Sequence, residues 1–173
     1  GDCEMRSLDL PLGYQLMLRM GFGFRKPRNK IPGTEVAGEI EAIGEDVKLF
    51  KVGDQVFGSS EPDLGAHAEY ICLPEDGLIT IKPTSMNYEE AASVPLAAKT
   101  ALYFIRDQGN IQAGQKILIN GASGGIGTFA VQLAKYYEAE VTGVCSTTNV
   151  ELVRSLGAED RKSTRLNSSH MSE

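Results

Sequence analysis

Residues 116–127, KILINGASGGIG, decide the fold, because a short apolar strand runs directly into a glycine-rich turn. Residues 128–137 then place apolar side chains at helical spacing, and residues 141–145 form a second apolar run that predicts a second strand. Strand, helix and strand within about 30 residues predict a parallel βαβ unit. A further helix is predicted over residues 149–156.

The glycine-rich turn has the composition of a dinucleotide-binding loop. A diphosphate needs backbone N–H donors at a helix N-terminus and no side chains that block its approach. Gly124, Gly125 and Gly127 leave that opening, and Ser123 adds a hydroxyl donor. The usual G-x-G-x-x-G motif is not fully met, because Ala122 occupies its first glycine position. Such turns can also serve tight packing alone, but the place of this one in a βαβ unit favours dinucleotide binding.

The residues after the second strand bear on which dinucleotide binds. NAD sites usually carry an acidic residue there, which accepts hydrogen bonds from the ribose hydroxyls. This chain instead has Cys145 followed by three hydroxyl side chains, Ser146, Thr147 and Thr148, so no carboxylate repels a 2′-phosphate. NADPH is therefore the predicted cofactor, although no Arg or Lys stands in this loop. The alternative is that the loop only caps the next helix, since Thr148 and Glu151 have the spacing of a capping box.

The region before residue 84 has a different pattern, with short strands between glycine-rich turns. Strands are predicted over residues 36–43, 55–57 and 66–73. This pattern is typical of a small antiparallel barrel or sandwich.

Helical patterns begin after Pro83. Asn87 and Glu90 have the spacing of a capping box at a helix N-terminus. Residues 99–108 are helical in pattern and are predicted to end at Gly109 as a left-handed helix C-cap.

Composition and charge exclude several classes of protein. The 173 residues are 42% hydrophobic and 23% charged, which is enough for an ordinary globular core. The net charge of −6 argues against nucleic-acid binding, and no run reaches the ~18 apolar residues of a membrane span. Three widely separated cysteines, Cys3, Cys72 and Cys145, predict reduced thiols. With no signal peptide in view, a cytoplasmic protein is expected.

The last residues do not continue the βαβ pattern. A doubly wound sheet needs a third buried strand, yet residues 161–173 read RKSTRLNSSHMSE and are almost wholly polar. They are predicted to be a non-native tail that forms no central strand, the alternative being a genuine flexible C-terminus. The predicted organisation is residues 1–83 as one domain, residues 84–160 as the first half of a nucleotide-binding domain, and residues 161–173 as the tail.

A family resemblance extends this interpretation. The spacing of ten residues is similar to the quinone oxidoreductase/zeta-crystallin signature: Gly114, Gln115, Leu118, Ala122, Ser123, Gly124, Gly125, Gly127, Gln132 and Lys135. Four upstream segments resemble the GroES-like domain of medium-chain dehydrogenase/reductases: residues 33–38, 52–57, 65–70 and 95–102. The resemblance runs from Asp2 to about Asp160.

The resemblance implies a two-domain fold, a GroES-like β-barrel-type domain followed by a Rossmann domain with a doubly wound parallel sheet. By this resemblance, the first strands of the GroES-like domain are expected to be missing before Gly1, and the second half of the Rossmann sheet is expected to be missing after Asp160. The family implies NADPH-dependent hydride transfer to a small-molecule quinone or α,β-unsaturated carbonyl, in a homodimer. The alternatives are a non-catalytic, crystallin-like NADPH-binding protein and an inactive truncated fragment of such an enzyme.

The resemblance also implies roles for residues of the site. Thr100 would lie near the nicotinamide, and Ser123 to Ile126, with Ser146, would contact the phosphates and the adenosine ribose. Asp2 and Arg6 match an acidic residue and an Arg near the cleft, or they form a structural ion pair. No proton donor stands out, so the catalytic residues are left unassigned.

No metal is expected. The places of two zinc ligands in zinc-containing relatives hold Thr34 and Leu96, which cannot replace a histidine and a cysteine. His67 is the one histidine before the tail, and such a lone residue more often has a surface or packing role.

Overall fold

A computed structural model describes residues 31–158 and 160–163, and for the last four of these only the backbone. Asp2, Cys3 and Arg6 lie outside the described residues. The chain divides into two compact units between Pro95 and Leu96. Each unit is described by itself.

The first unit contains a three-stranded antiparallel sheet in the order β1-β2-β3. Its strands are β1 (Glu35–Glu39), β2 (Gln55–Ser59) and β3 (Leu78–Ile81). The backbones of β2 and β3 lie so close together at Gly58 that a Cβ atom there would overlap the Leu78 carbonyl oxygen.

Two of the strand predictions in this unit need correction. The strand predicted over residues 36–43 ends at Glu39, and the one predicted over residues 66–73 is a loop. Gly65 has a φ of +125°, and the amides of Ala66 and His67 donate to the carbonyls of Gly33 and Pro32. The alternating pattern was misleading because these backbone groups bond to a loop rather than to a neighbouring strand.

Helix α1 (Tyr88–Ala92) packs on β1 and β2 and so belongs to the first unit. Its capping box is confirmed. Asn87 Oδ1 accepts from Glu90 N at 2.7 Å, and Glu90 Oε2 accepts from Asn87 N at 3.0 Å. The pattern of the sequence changes at Pro83, whereas the compact units divide after this helix.

Helix α2 (Pro95–Leu102) begins four residues before the predicted start and continues as a π-helix, Tyr103–Gln108. The predicted left-handed cap at Gly109 is wrong, since Gly109 has a φ of −79°. Its N–H donates to Phe104 O at 2.9 Å and closes the last wide turn. The left-handed conformation falls on the next residue, Asn110, with a φ of +43°. Asparagine tolerates that conformation better than most residues.

The second unit confirms the βαβ prediction. Strand β4 (Lys116–Asn120) and strand β5 (Glu140–Cys145) pair in parallel, with Ile117 opposite Val141. The crossover is helix α3 (Gly125–Tyr136), which starts three residues before the predicted residue. Helix α4 (Val150–Ser155) follows β5.

A third strand, β6 (Asp160–Ser163), pairs in parallel with β5, so the described sheet has the order β4-β5-β6. Residues 161–163 of the predicted tail thus belong to a strand at the end of the described sheet, which does not contradict the prediction that the tail forms no central strand. The ladder is made by backbone groups, so a polar segment at the end of a sheet can form it. That residues 161–173 are a non-native tail stays a prediction.

The core of the second unit lies between the sheet and its helices. Three valines are almost wholly buried, Val131 of α3, Val141 of β5 and Val153 of α4. Each such side chain contributes about 1.5–3 kcal/mol by leaving water. Cys145 is buried and Cys72 exposed, and both are free thiols in the described part of the chain. This core fixes the start of α3 and the end of β5, where the candidate site lies.

Candidate functional site

The glycine-rich turn joins β4 to α3. Gly121 opens it with a φ of +72°, a conformation that glycine adopts without strain. Gly124 N donates to Gly121 O at 2.9 Å, and Gly124 is the extended N-cap residue of α3. The turn is therefore tight and hydrogen-bonded before any ligand binds.

The glycines of the turn have different roles. A Cβ atom on Gly127 would overlap the Gly121 carbonyl oxygen and lie 2.8 Å from Ala122 Cα, so Gly127 is needed for packing. A Cβ atom on Gly125 would meet no atom within 4 Å. Gly125 thus leaves open space beside the helix N-terminus, as a ligand-binding glycine would.

Ala122 explains the departure from the glycine motif. It is fully buried, and its N–H donates to Val144 O on β5 at 2.9 Å. A Cβ atom on Gly143 would lie 3.2 Å from Ala122 Cβ. Only a small side chain fits here, and the glycine of β5 makes room for the methyl group.

The N-terminus of α3 offers amide donors. The first N–H groups of a helix, here those of Gly125, Ile126 and Gly127, have no partner within it. Gly125 and Ile126 are exposed, and the helix dipole adds positive potential at this end. These features suit an anion such as a diphosphate.

The loop after β5 places three hydroxyl groups on the surface. Ser146, Thr147 and Thr148 are all exposed, and Ser146 Oγ lies 3.1 Å from Thr148 Oγ1. The chain forms a 3-10 helix over Thr147–Asn149 before α4 begins at Val150. The predicted capping box of Thr148 and Glu151 is therefore wrong, because α4 starts one residue later and its N-cap residue Asn149 makes no cap bond.

Asn149 connects the loop to the glycine-rich turn. Its Nδ2 donates to Ser123 Oγ at 3.2 Å, across 26 positions of sequence. The bond brings together eight predicted cofactor residues, namely Ser123, Gly124, Gly125, Ile126, Gly127, Ser146, Thr147 and Thr148. Sequence reasoning missed Asn149, although an amide after three hydroxyl residues at the end of a strand is a usable signal.

Thr100 lies elsewhere in the second unit, on α2. Its Oγ1 donates to Leu96 O at 2.7 Å, within the helix. No hydrogen bond of the described residues links it to the glycine-rich turn. Its place near a nicotinamide stays a prediction.

Thr34 and His67, which were weighed against zinc ligands in the sequence, contact other groups. Thr34 O accepts from Ser60 N at 2.7 Å. A Cβ atom on Gly33, whose φ is +93°, would overlap the His67 ring, so this histidine packs on backbone. Within residues 31–158 and 160–163, no cluster of three His, Cys, Asp or Glu side chains could hold a metal ion.

The donor set fits a ligand that carries phosphate groups. Neither residues 121–127 nor residues 145–149 contain a carboxylate. Amide N–H groups at α3 and four hydroxyls line the two loops, and all of these can donate to phosphate oxygens. The chemistry of the site thus suits an anion with several oxygen acceptors.

Comparison with known proteins agrees with this fold. Residues 13–83 match the alcohol dehydrogenase GroES-like domain family. The chain is 43% identical over 135 residues to the mitochondrial NAD(P)H oxidoreductase RTN4IP1 of Danio rerio, covering 75% of this chain and 35% of that protein. It is 42% identical over 137 residues to the chloroplast envelope quinone oxidoreductase homolog of Arabidopsis thaliana, covering 75% and 41%.

A solved structure of a quinone oxidoreductase is also similar to this chain. The quinone oxidoreductase of Pseudomonas syringae pv. Tomato DC3000 superposes with a TM-score of 0.68 and 36% identity, covering 75% of this chain and 40% of that one. Structural neighbours of this kind are quinone oxidoreductases of the medium-chain dehydrogenase/reductase family, which the chain resembles over the aligned part. Its homologues are named quinone oxidoreductases and NAD(P)H oxidoreductases, which confirms the resemblance and the fold class.

The chain spans 35% to 41% of the length of these curated relatives. Their names include mitochondrial and chloroplast forms, so the cytoplasmic location stays a prediction. Within residues 31–158 and 160–163, every helix is too short or too polar to cross a bilayer.

Proposed function

We propose that this protein is an NADPH-dependent oxidoreductase that transfers a hydride, without zinc, to a quinone or an α,β-unsaturated carbonyl compound. The observation that supports it most is the hydrogen bond between Asn149 and Ser123. This bond joins the open glycine-rich turn to the loop after β5, which carries hydroxyl side chains and no carboxylate. The names of the relatives support the redox class. Since the chain spans only part of their length, the proposal concerns the whole protein.

Each group of residues has a role in binding. The N–H groups of Gly125, Ile126 and Gly127, with the Ser123 hydroxyl, would hold the diphosphate of the cofactor. Ser146, Thr147 and Thr148 would donate to the 2′-phosphate.

The nicotinamide supplies the hydride, and the protein orients it and excludes water. Thr100 Oγ1 donates to Leu96 O, which leaves its lone pairs as acceptors for a carboxamide N–H group. The oxyanion that develops on the acceptor would be stabilised by hydrogen bonds, and its proton would come from solvent or a hydroxyl. We assign no residue as the acid.

Binding of the cofactor is tested on the chain itself by calorimetry with NADPH and NADH. We expect NADPH to bind more tightly. Ser146→Asp should reverse that preference, because a carboxylate repels the 2′-phosphate and accepts from ribose hydroxyls. Ser146→Ala is the matched control and should weaken NADPH binding without favouring NADH. Tighter binding of NADH by the unmodified chain would contradict the NADPH assignment.

Turnover is tested with the whole protein on a panel of quinones and enones. NADPH should be oxidised faster than NADH, and EDTA should leave the rate unchanged. Loss of activity on chelation would disprove the zinc-free mechanism. Binding without turnover across the panel would instead indicate the non-catalytic, crystallin-like alternative. Sedimentation of the whole protein tests the proposed homodimer.

A further inference from the structure

We propose that Asn149 is a positioning residue of the dinucleotide site: its amide holds Ser123 Oγ so that the Ser123 hydroxyl proton is available to a phosphate of the cofactor. The inference rests on the proposed function, since it concerns the same site. It adds a residue that neither the glycine motif nor the predicted hydroxyl loop includes.

The hydrogen-bonding capacity of the two side chains carries the argument. A serine hydroxyl has one proton to donate and lone pairs that accept two bonds. The amide Nδ2 of Asn149 can only donate, and it lies 3.2 Å from Ser123 Oγ. This bond uses a lone pair of Ser123. The hydroxyl proton therefore remains for another acceptor.

The position of Asn149 is itself fixed. Its backbone N–H donates to Ser146 O at 3.0 Å, which closes the loop after β5. Val150, the next residue, starts α4, and Val153 of that helix is buried in the core. Asn149 is thus held between a loop closed by a hydrogen bond and a helix that packs in the core.

The surroundings of Ser123 indicate what takes the proton. Ser123 is half-buried and stands directly before Gly124 and Gly125, which are exposed at the N-terminus of α3. The nearby helix N–H groups attract an anion, and the two loops contain no carboxylate to compete for the proton. A phosphate oxygen is the acceptor that this geometry favours. Positioning before binding also reduces the entropy lost on binding.

The test is a double-mutant cycle on the full chain, with dissociation constants for NADPH and NADH measured by calorimetry. Ser123→Ala should weaken binding of both dinucleotides about tenfold, as expected for a lost hydrogen bond to a charged group. Asn149→Ala should weaken binding about threefold. The double variant should bind no more weakly than Ser123→Ala, because Asn149 acts through Ser123.

A second variant separates positioning from mere support of the loop. Asn149→Asp keeps the size of the side chain but can only accept, so it would take the Ser123 proton and add a negative charge. It should bind both dinucleotides more weakly than Asn149→Ala, and part of that loss should disappear in the Ser123→Ala background. Since the shape is conserved, this variant stays informative if Asn149→Ala fails to fold.

Ser155→Ala is the control variant. It removes a hydroxyl that donates to Leu152 O within α4 and should leave the dissociation constants for NADPH and NADH unchanged. The positioning role would be overturned if Asn149→Ala weakened dinucleotide binding equally in the unmodified chain and in the Ser123→Ala variant. It would also be overturned if Asn149→Asp and Asn149→Ala bound the dinucleotides equally well. If the unmodified chain binds neither dinucleotide, the dinucleotide site proposed for it fails, and the inference fails with it.

Discussion

Gly127 packs so closely on Gly121 that a Cβ atom would overlap the Gly121 carbonyl oxygen, whereas Gly125, two residues earlier in the same helix, faces open space. The same glycine-rich turn therefore contains a residue needed for packing and a residue left open for a ligand. Substitution can separate the two roles.

Gly127→Ala should destabilise the fold, because the clash is with backbone atoms that cannot move aside. We expect a loss of about 1–3 kcal/mol in the free energy of unfolding. Gly125→Ala should leave stability within about 0.5 kcal/mol but weaken NADPH binding. Urea denaturation and calorimetry measure the two effects. Equal stability of the two variants would contradict the assigned packing role.

Glu75 stabilises a loop in a way that depends on pH. Its Oε2 accepts from Leu49 N at 2.9 Å and Lys48 N at 2.8 Å, and these backbone hydrogen bonds hold the pKa of the carboxyl below its ordinary value of 4.5. A depressed pKa in the folded state means that the stabilisation is present above about pH 4.5 and is lost as the pH falls through the folded pKa.

Glu75→Gln should therefore lower the Tm at neutral pH, with a deficit that shrinks below pH 4.5 as the carboxyl of the unmodified protein takes up a proton. Thermal melts from pH 3 to about 7 test this. Glu41→Gln, an exposed substitution in the same unit, is the control. A deficit of the same size at every pH would contradict the role of the carboxylate charge.

Lys82 is a buried lysine, 6% exposed, whose ammonium bonds to backbone. Nζ donates to Met86 O at 2.6 Å and Pro83 O at 3.2 Å, and it lies 5.3 Å from the centroid of the Tyr88 ring. Lys82→Met should cost about 1–3 kcal/mol in the free energy of unfolding, because Met86 O loses this donor and Pro83 O keeps only the Met86 N–H. Lys51→Met, an exposed lysine, should cost little. Chemical denaturation measures the free energy of unfolding of both variants. Similar losses would argue against a stabilising role for the buried Lys82 ammonium.

Leu118 of β4 is 64% exposed, on a strand at one end of the described sheet. An exposed apolar strand at a sheet edge promotes self-association. The 173-residue chain should associate with rising concentration, and Leu118→Lys should reduce this in sedimentation experiments. Leu152→Lys, on helix α4, should have a smaller effect. A chain that stays monomeric at every concentration would contradict the prediction.

Local sequence patterns were sufficient to predict the elements whose residue pattern lies within one short segment. The βαβ unit followed from two apolar strands, a glycine-rich turn and a helical repeat, and the capping box followed from Asn87 and Glu90. Backbone partners far away in sequence decided the rest. The segment over residues 66–73 alternates like a strand, yet its first amides bond to the loop before β1.

The sequence by itself determined the parallel strand pair, the open glycine turn and the loop free of carboxylates, because these depend on residue types within short stretches. Only the tertiary structure decided that Gly127 is a packing residue, that polar residues 160–163 extend the sheet, and that Asn149 reaches Ser123. The physical reason is distance along the chain. Contacts across 26 positions arise from the packing of the sheet and its helices, which a local pattern does not contain.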